Sequence, residues 1–170
     1  MYINNYFSDI KIICLNLEHR RDRRLYMLKQ CKRRNIDIEF YTTKLHKNPK
    51  RGCLESHLNI IKKGYNNGVK KLLILEDDVK FIQHLKNIPK PPDNWDMLYL
   101  GGTVKDNMGQ YNKNWYKVAC FTTHSYILNL ENTKLIEDIY KADNYDKEID
   151  SYYVFNIHYK YNTYICNPMI

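Results

Sequence analysis

The segment Leu72–Asp78, which reads Leu-Leu-Ile-Leu-Glu-Asp-Asp, limits the possible folds more than any other part of the chain. Four consecutive apolar residues are typical of a strand that is buried on both faces, as in a parallel sheet with helices on either side. Three carboxylates then come at the end of that strand. Because side chains alternate along a strand, Glu76 and Asp78 share one face and Asp77 points to the other.

This acidic strand end has two interpretations. Two like charges on one face repel each other, and a divalent cation relieves that repulsion. Oxygen ligands favour Mg²⁺ or Mn²⁺, so Glu76 and Asp78 are candidate metal ligands. The alternative is that the three acids only end the strand and cap the next segment of the chain.

Strands alternate with helices along the chain. The apolar spacing predicts strands at 9–17, 36–41, 72–75, 97–100 and 119–128, and helices at 22–34, 54–65 and 131–141. Leu25, Leu28 and Cys31 are the expected buried face of the first helix, and Asn129 or Asn132 is the expected cap of the last. This order predicts an α/β fold with a largely parallel central sheet, formed as a single domain over residues 1–170. In such sheets, ligands bind beyond the carboxyl ends of the strands.

Basic residues cluster where the first strand meets the first helix, a usual position for a phosphate group or a nucleotide. An arginine among Arg20, Arg23 and Arg24 could clamp a diphosphate with two hydrogen bonds, while Asp22 caps the helix. The junction has no glycine-rich loop, which excludes a P-loop and a dinucleotide-binding fingerprint. The alternative is a solvated basic helix start.

The segment Arg51–His57 places a glycine before a helix whose first turn offers Ser56 and His57 to a ligand. A catalytic pair of Cys53 and His57 is the weaker alternative, because both side chains would lie along one helix rather than in a cleft.

Three weaker signals come later in the chain. Gly101 and Gly102 directly follow a strand, where they permit close approach of the backbone to a ligand or form a turn. His124 lies in a polar run within a strand pattern and is either a core residue or a ligand. The segment Glu148–Tyr153 places acids beside aromatic side chains, which suits a sugar acceptor whose hydroxyl proton the acid accepts.

The net charge of +8 is concentrated in the first third of the chain. Residues 1–60 carry 13 Lys or Arg and 6 Asp or Glu, whereas residues 61–170 carry 14 and 13. This distribution favours an anionic ligand bound at one region over nucleic acid bound across the whole surface. Lys, Asn, Ile and Tyr make up 73 of the 170 residues, a bias typical of AT-rich genomes such as those of some large DNA viruses.

The chain is expected to be a cytoplasmic globular protein, located in the host cytosol or a viral factory if its gene is viral. It has no apolar run long enough to span a membrane, and its N-terminus does not have the pattern of a signal peptide. The five cysteines have neither CxxC spacing nor the pattern of a disulfide framework, so we expect free buried thiols.

Taken in order, these segments resemble glycosyltransferase family 25, which includes lipooligosaccharide galactosyltransferases and collagen hydroxylysine galactosyltransferases. The similar stretches are Ile13–Leu17 with Arg20–Arg24, Gly52–Leu54 with Ser56–His57, Leu73–Asp78, Trp95–Asp96 with Leu100–Gly102, Ser125–Leu128, and Asp150. Glu55 departs from the pattern, which usually has a small or apolar residue there.

The resemblance implies a GT-A-like fold of the nucleotide-diphospho-sugar transferase type. It implies metal-dependent transfer of a hexose, galactose or glucose, from a UDP-sugar to a hydroxyl of a glycan or a hydroxylysine-type protein acceptor, with inversion. Mn²⁺ or Mg²⁺ would lie on Glu76 and Asp78, and Asp150 would be the catalytic base. The donor-binding residues that it implies are Asn16, Arg20, Arg23, Arg24, Ser56, His57, Asp77, Gly101 and Gly102.

Two other functions are alternatives. The chain ends at Ile170, close to where family members continue, which suggests a non-catalytic module that binds a UDP-sugar or a glycan. The same observation suggests a chain that acts as a homo-oligomer or with a partner subunit. The net charge of +8 supports a remote alternative, a basic nucleic-acid-binding protein, against which the acidic strand end argues.

Overall fold

The computed structural model describes residues 5–170, which form six strands and four α-helices. They are β1 (Ile10–Leu17), α1 (Arg21–Arg34), β2 (Glu39–Thr43), α2 (Pro49–Asn66), β3 (Lys71–Glu76), β4 (Met97–Asn112), β5 (Trp115–Asn129), α3 (Thr133–Tyr140), α4 (Ile149–Asn156) and β6 (Thr163–Cys166). Short 3₁₀ turns occur at Asn5–Phe7, Leu85–Asn87 and Lys141–Asn144.

The six strands form one mixed sheet in the order β2-β1-β3-β5-β4-β6. β1 pairs in parallel with both β2 and β3, and β4 pairs in parallel with β6. β5 is antiparallel to its neighbours β3 and β4, so within residues 5–170 five strands share one direction and β5 runs against them. The predicted α/β fold with a largely parallel central sheet is therefore confirmed.

The β4–β5 hairpin is much longer than the sequence pattern predicts. β4 continues from Leu100 to Asn112, and β5 begins at Trp115 rather than Ala119. The pairing contains several register shifts, and the start of β5 also pairs with β6. The predicted ends of these strands were wrong because most of residues 101–112 are polar and exposed, and only their hydrogen bonds to β5 identify them as a strand. Both α4 and β6 were missed by the sequence pattern.

The sheet separates two apolar cores. Leu72 and Ile74 of β3 face one core, which α2, α3 and α4 cover, whereas Leu73 and Leu75 face the core that contains α1 and the loop after β3. All four side chains are fully buried. The predicted burial of this strand on both faces is confirmed, and it explains why the acids appear only where the strand ends.

Helix α1 is packed through a face that shares only Cys31 with the predicted one. Leu25 and Leu28 are exposed, whereas Met27, Gln30 and Cys31 are buried. The side chain of Gln30 donates to the carbonyl of Val79 at 2.8 Å and accepts from the amide of Phe81 at 3.0 Å. Burying this amide is favourable because the loop after β3 satisfies its hydrogen bonds, and hydrophobic spacing cannot reveal such a contact.

Two helix caps are asparagines. Asn48 accepts from the amides of Lys50 and Arg51, so α2 begins at Pro49, five residues before the predicted start. Asn132, one of the two predicted caps, accepts from the amide of Leu135 at the start of α3. Residues 135, 136 and 139 of α3 are buried, as their spacing predicts.

His158 is a fully buried histidine that the fold holds in its neutral form. The amide of Cys120 donates to Nδ1 at 3.3 Å, so that nitrogen is an acceptor, and Nε2 lies 3.1 Å from the hydroxyl of Tyr99. Burial lowers the pKa of His158 to about 3, because the charged imidazolium is poorly solvated there.

We expect the free energy of unfolding to fall by about 1.4 kcal/mol per pH unit as the pH is lowered from about 6.5 to about 5. In this window the unfolded chain takes up a proton at His158, whose usual pKa is 6.5, while the folded chain does not. Urea unfolding at several pH values measures the slope. His158→Gln should flatten it, and a slope in this variant equal to that of the wild type would refute the assignment.

Candidate active site

The carboxyl ends of β1 and β3 meet at one edge of the sheet. The parallel register pairs Leu15 with Glu76, which places Asn16 beside Asp77. The side-chain amide of Asn16, which is buried, donates to Asp77 Oδ2 at 2.8 Å and to the carbonyl of Arg20 at 3.2 Å. Asn16 therefore ties the acidic end of β3 to the start of α1.

Glu76 contacts three polar side chains of the surrounding elements. Thr123 donates its hydroxyl to Oε1 at 2.7 Å, and Nδ1 of His124 lies 3.2 Å from Oε2. Nε2 of His57 lies 3.5 Å from Oε1. Burial on its own would raise the pKa of Glu76, but His124, His57 and Thr123 outweigh it and hold that pKa well below its usual range. Glu76 is therefore an anion in this site.

Asp77 and Asp78 point in different directions. Asp78 Oδ1 lies 3.7 Å from His124 Nδ1, the same nitrogen that Glu76 contacts. Asp77 instead faces Asn16, and the guanidinium of Arg23 donates to Asp77 at 2.9 Å and to Asp78 at 3.0 Å. This arrangement matches the alternation expected from the strand.

His124 completes a group of possible metal ligands. One ligand atom each from Glu76, Asp78 and His124 lies within 4.8 Å of the other two. The hydrogen bond to Glu76 raises the pKa of His124, with burial opposing it. Two carboxylates and one imidazole at a half-exposed position fit a divalent cation, and the imidazole suits Mn²⁺ better than Mg²⁺.

The backbone of β5 is strained beside these acids. Thr122 has a φ of +70°, a value that is rare for a β-branched residue. The β4–β5 register shifts on either side of it, and the amide of Thr103 donates to the Thr122 hydroxyl at 3.3 Å. The bend turns Thr123 and His124 towards Glu76. Strain of this kind persists where surrounding contacts enforce it, and it is common at functional sites.

Asp150 lies across from the acidic strand end, in the first turn of α4. Its Oδ2 accepts from the amide of Thr122 at 3.2 Å, and its Oδ1 accepts from the amide of Ser151 at 2.7 Å. A hollow of about 200 Å³ is lined by both Asp150 and Glu76. The other residues lining this hollow are Cys53, Thr122, Thr123, His124, Glu148 and Ile149.

Two further hollows adjoin the same acids. One, of about 180 Å³, is mainly apolar and reaches from Leu15 and Leu17 to Gly52, Glu76 and Asp77. The other, of about 420 Å³, is more open. Its lining includes Asp78, Gly101, Gly102, His124, Ser125, Met169 and Ile170. The three hollows together surround the carboxyl end of β3. Another hollow, of about 360 Å³, lies at the opposite end of β1. Its lining includes Asp37 and Glu39, and Glu39 is paired with Lys11 and Lys63.

Several predicted donor-binding residues border these hollows. Arg23, Ser56 and Asp77 line the apolar hollow, and Gly101 and Gly102 line the open one. The hydroxyl of Ser56 donates to the carbonyl of Gly52 at 2.6 Å. His57 is buried beneath Glu76, where burial lowers its pKa but the adjacent Cys53 and Glu76 outweigh this and raise that pKa. His57 therefore acts on Glu76 and does not line any of the three hollows.

Two predicted arginines are engaged elsewhere. Arg20 forms a two-point ion pair with Asp22, at 2.9 and 2.7 Å. The prediction that Asp22 caps α1 was wrong, because the cap position is Arg20 and no side chain bonds to the helix start there. Arg24 lies over the ring of Phe40 at 4.0 Å and donates to Thr42. Within residues 5–170, neither side chain has a hydrogen bond to Glu76, Asp77 or Asp78.

Sequence reasoning gave no role to Thr122 and Thr123, considered Cys53 only as a catalytic partner of His57, and left the role of His124 undecided. His124 is exposed, with 52% of its side chain accessible, so it is not a core residue. Its position opposite Glu76 follows from the antiparallel β3–β5 pairing, which joins Leu75 to Ser125. The polar run at 122–126 was a usable signal, but only the sheet order shows which acid it meets.

Gly102 is required by close packing. A Cβ there would lie 2.5 Å from Cys120 Sγ and 3.2 Å from the carbonyl of Phe121, whereas at Gly101 it would meet only Met169 sulfur, at 3.9 Å. We expect Gly102→Ala to lower the free energy of unfolding by about 1–3 kcal/mol and Gly101→Ala to change it little. Urea unfolding of the two variants checks this, and equal losses would contradict it.

Residues 42–164 match the model of glycosyltransferase family 25, which is described as an LPS biosynthesis protein family. This match spans most of the chain and contains Glu76, Asp78, His124 and Asp150. The chain belongs to glycosyltransferase family 25. The resemblance noted in the sequence is confirmed, and the protein is a glycosyltransferase-family enzyme whose general role is glycosyl transfer.

This family 25 glycosyltransferase also has a similar solved structure, that of a glycosyltransferase involved in the glycosylation of the major capsid of PBCV-1. The two sequences are 12% identical, the similarity covers 80% of this chain and 68% of the other, and the TM-score is 0.49. Within residues 5–170, we find no helix with the length and apolar character needed to cross a membrane.

Proposed function

We propose that this family 25 enzyme transfers a hexose, galactose or glucose, from a UDP-sugar to a hydroxyl of a glycan or a hydroxylysine-type protein acceptor. The observation that carries the proposal is the convergence of Glu76, Asp78 and His124 at the carboxyl end of β3. Proteins with an α/β fold bind ligands beyond the carboxyl ends of their parallel strands. The three hollows at this end of β3 leave room for a donor and an acceptor.

Glu76, Asp78 and His124 would hold a divalent cation, with Mn²⁺ favoured by the imidazole. When bound, the cation would neutralise charge on the diphosphate leaving group. Arg23 would assist from the other side, because its guanidinium is one-third exposed while Asp77 and Asp78 fix its position. Asn16 would act indirectly, by orienting Asp77.

The apolar hollow between β1 and α2 would take the uracil ring. Leu15, Leu17 and Pro49 supply apolar contacts, and Thr43 and Lys44 supply polar groups at its edge. Its volume of about 180 Å³ suits a pyrimidine ring. The open hollow beside Gly101 and Gly102 would then receive the sugar, since Asp78 lies at its border.

Asp150 would be the catalytic base. The amides of Thr122 and Ser151 orient its carboxylate, and it lines the same hollow as Glu76. An acceptor hydroxyl in this hollow would give its proton to Asp150 as the oxygen attacks the anomeric carbon. A single displacement with one base inverts the anomeric configuration.

Titration calorimetry of UDP, UDP-galactose and UDP-glucose into the purified protein, in Mn²⁺ and in EDTA, tests the proposal. We expect binding in Mn²⁺ that weakens in EDTA, with ADP as the matched nucleotide that binds less. A transfer assay with the tighter donor comes next. UDP binding without transfer to any acceptor would favour the non-catalytic module instead, and no binding in either condition would overturn the donor assignment.

A further inference from the structure

Cys53, His57 and Glu76 form a second group of possible metal ligands, on the inner side of Glu76. One ligand atom from each lies within 4.8 Å of the other two. We propose that this group binds a thiophilic divalent cation, Zn²⁺, separately from the cation assigned to Glu76, Asp78 and His124. The inference goes beyond the proposed function, because sugar transfer does not require a thiolate ligand.

The orientation of His57 is the observation that points to a ligand. Its ring is completely buried, and Nδ1 lies 2.7 Å from the hydroxyl of Tyr126, which also stacks on it. Nε2 makes no well-aligned hydrogen bond among residues 5–170, and it faces Glu76 Oε1 at an ion-pair distance of 3.5 Å. A metal-bound histidine is typically held in this way, with its second nitrogen fixed by a polar neighbour.

The fold holds the other two ligands close to Nε2. Cys53 and His57 are four residues apart in α2, so they lie on one face of a rigid helix. Cys53 is only half-buried and lines both the apolar hollow and the hollow that contains Asp150. A cation could therefore enter from either hollow, and water there could supply a fourth ligand.

The charges balance for a buried dication. The Cys53 thiolate and the Glu76 carboxylate contribute two negative charges, and neutral His57 contributes none. The thiolate and the neutral imidazole are the forms that bind a metal, so Zn²⁺ binding should strengthen as the pH rises. Sulfur and nitrogen ligands select Zn²⁺ over Mg²⁺ and Mn²⁺.

The two sites share Glu76 through different oxygens. Oε1 faces His57, whereas Oε2 faces His124. Two dications on one carboxylate repel each other, so Zn²⁺ on the Cys53 side is expected to weaken Mn²⁺ binding on the Asp78 side. This makes Zn²⁺ an inhibitor that acts from beneath the candidate active site.

Cobalt titration of the metal-free protein tests the site, because a thiolate bound to Co²⁺ gives a near-ultraviolet charge-transfer band. We expect this band in the wild type, its displacement by Zn²⁺, and its loss in Cys53→Ser, with Zn²⁺ affinity lowered about a hundredfold or more. Cys31→Ser, which removes a thiol from the opposite core, is the matched control and should keep the band.

Two results would overturn the proposal: no thiolate band in the wild type, or a band that persists in both Cys53→Ser and Cys53→Ala. Circular dichroism verifies that each variant is folded. The titration uses the metals alone, so its failure is distinct from failure of the proposed function. Asp78→Asn further separates the zinc-site proposal from the proposed function. This variant should keep the cobalt band while losing Mn²⁺-dependent binding of UDP.

Discussion

Asp78→Asn is expected to lower the rate of sugar transfer by about a hundredfold or more and to abolish the dependence of UDP binding on Mn²⁺. The change removes one negative charge from the proposed metal ligands and keeps the size of the side chain. The fold should tolerate it, because the Asp78 side chain is 40% exposed and Arg23 retains its ion pair with Asp77. A substitution of Glu76 is a poorer test, because it would leave the buried His57 without its counter-charge.

Calorimetry with UDP in Mn²⁺ and in EDTA, together with steady-state transfer rates, measures this effect. The matched control is Asp93→Asn, which makes the same chemical change at an exposed acid paired with Lys90. Asp93→Asn should behave as the wild type. Unchanged transfer in Asp78→Asn would show that this carboxylate is not a ligand of a required cation.

Asp150→Asn is expected to lower kcat by about 10²–10⁴-fold with little change in the affinity for UDP. Asparagine can still accept a hydrogen bond from the amide of Thr122, so the bend of β5 should persist. It cannot accept the acceptor's proton. The loss should therefore appear in the chemical step rather than in donor binding.

The measurements for Asp150 are kcat, the KM for the donor and the Kd for UDP, each compared with Asp146→Asn. Asp146 is an exposed acid near α4, and its replacement should leave all three values unchanged. If Asp150→Asn weakened UDP binding as much as it slowed transfer, Asp150 would be a donor-binding residue. Unchanged kcat would exclude it as the base.

Much of the scaffold could be predicted from local sequence patterns. The run at 72–75 predicted a strand buried on both faces, and the order of strands and helices predicted the α/β sheet. Ordered motifs predicted the family, which the match over residues 42–164 confirms. The alternation of side chains along a strand also anticipated that Glu76 and Asp78 turn to one side. The roles of the candidate site residues stay predictions until the variants are measured.

Other features depended on partners that are distant in the sequence. Hydrophobic spacing chose Leu25, Leu28 and Cys31 as the buried face of α1, but only Cys31 is buried. The loop after β3 satisfies the amide of Gln30, so the buried face is rotated towards Gln30. The polar residues of β4 form a strand because β5 pairs with them. Their own composition has no strand pattern to detect.

The residues that carry charge at the end of β3 can be recognised without a structure, because a carboxylate's chemistry and a strand's alternation are local properties. Which groups meet those acids depends on how distant segments of the chain pack together. The antiparallel pairing of β5 with β3 and the bend at Thr122 place His124 beside Glu76 and Asp78, and they place Asp150 opposite. The positions of His124 and Asp150 depend on contacts between residues 28 to 48 positions apart, which local patterns do not encode.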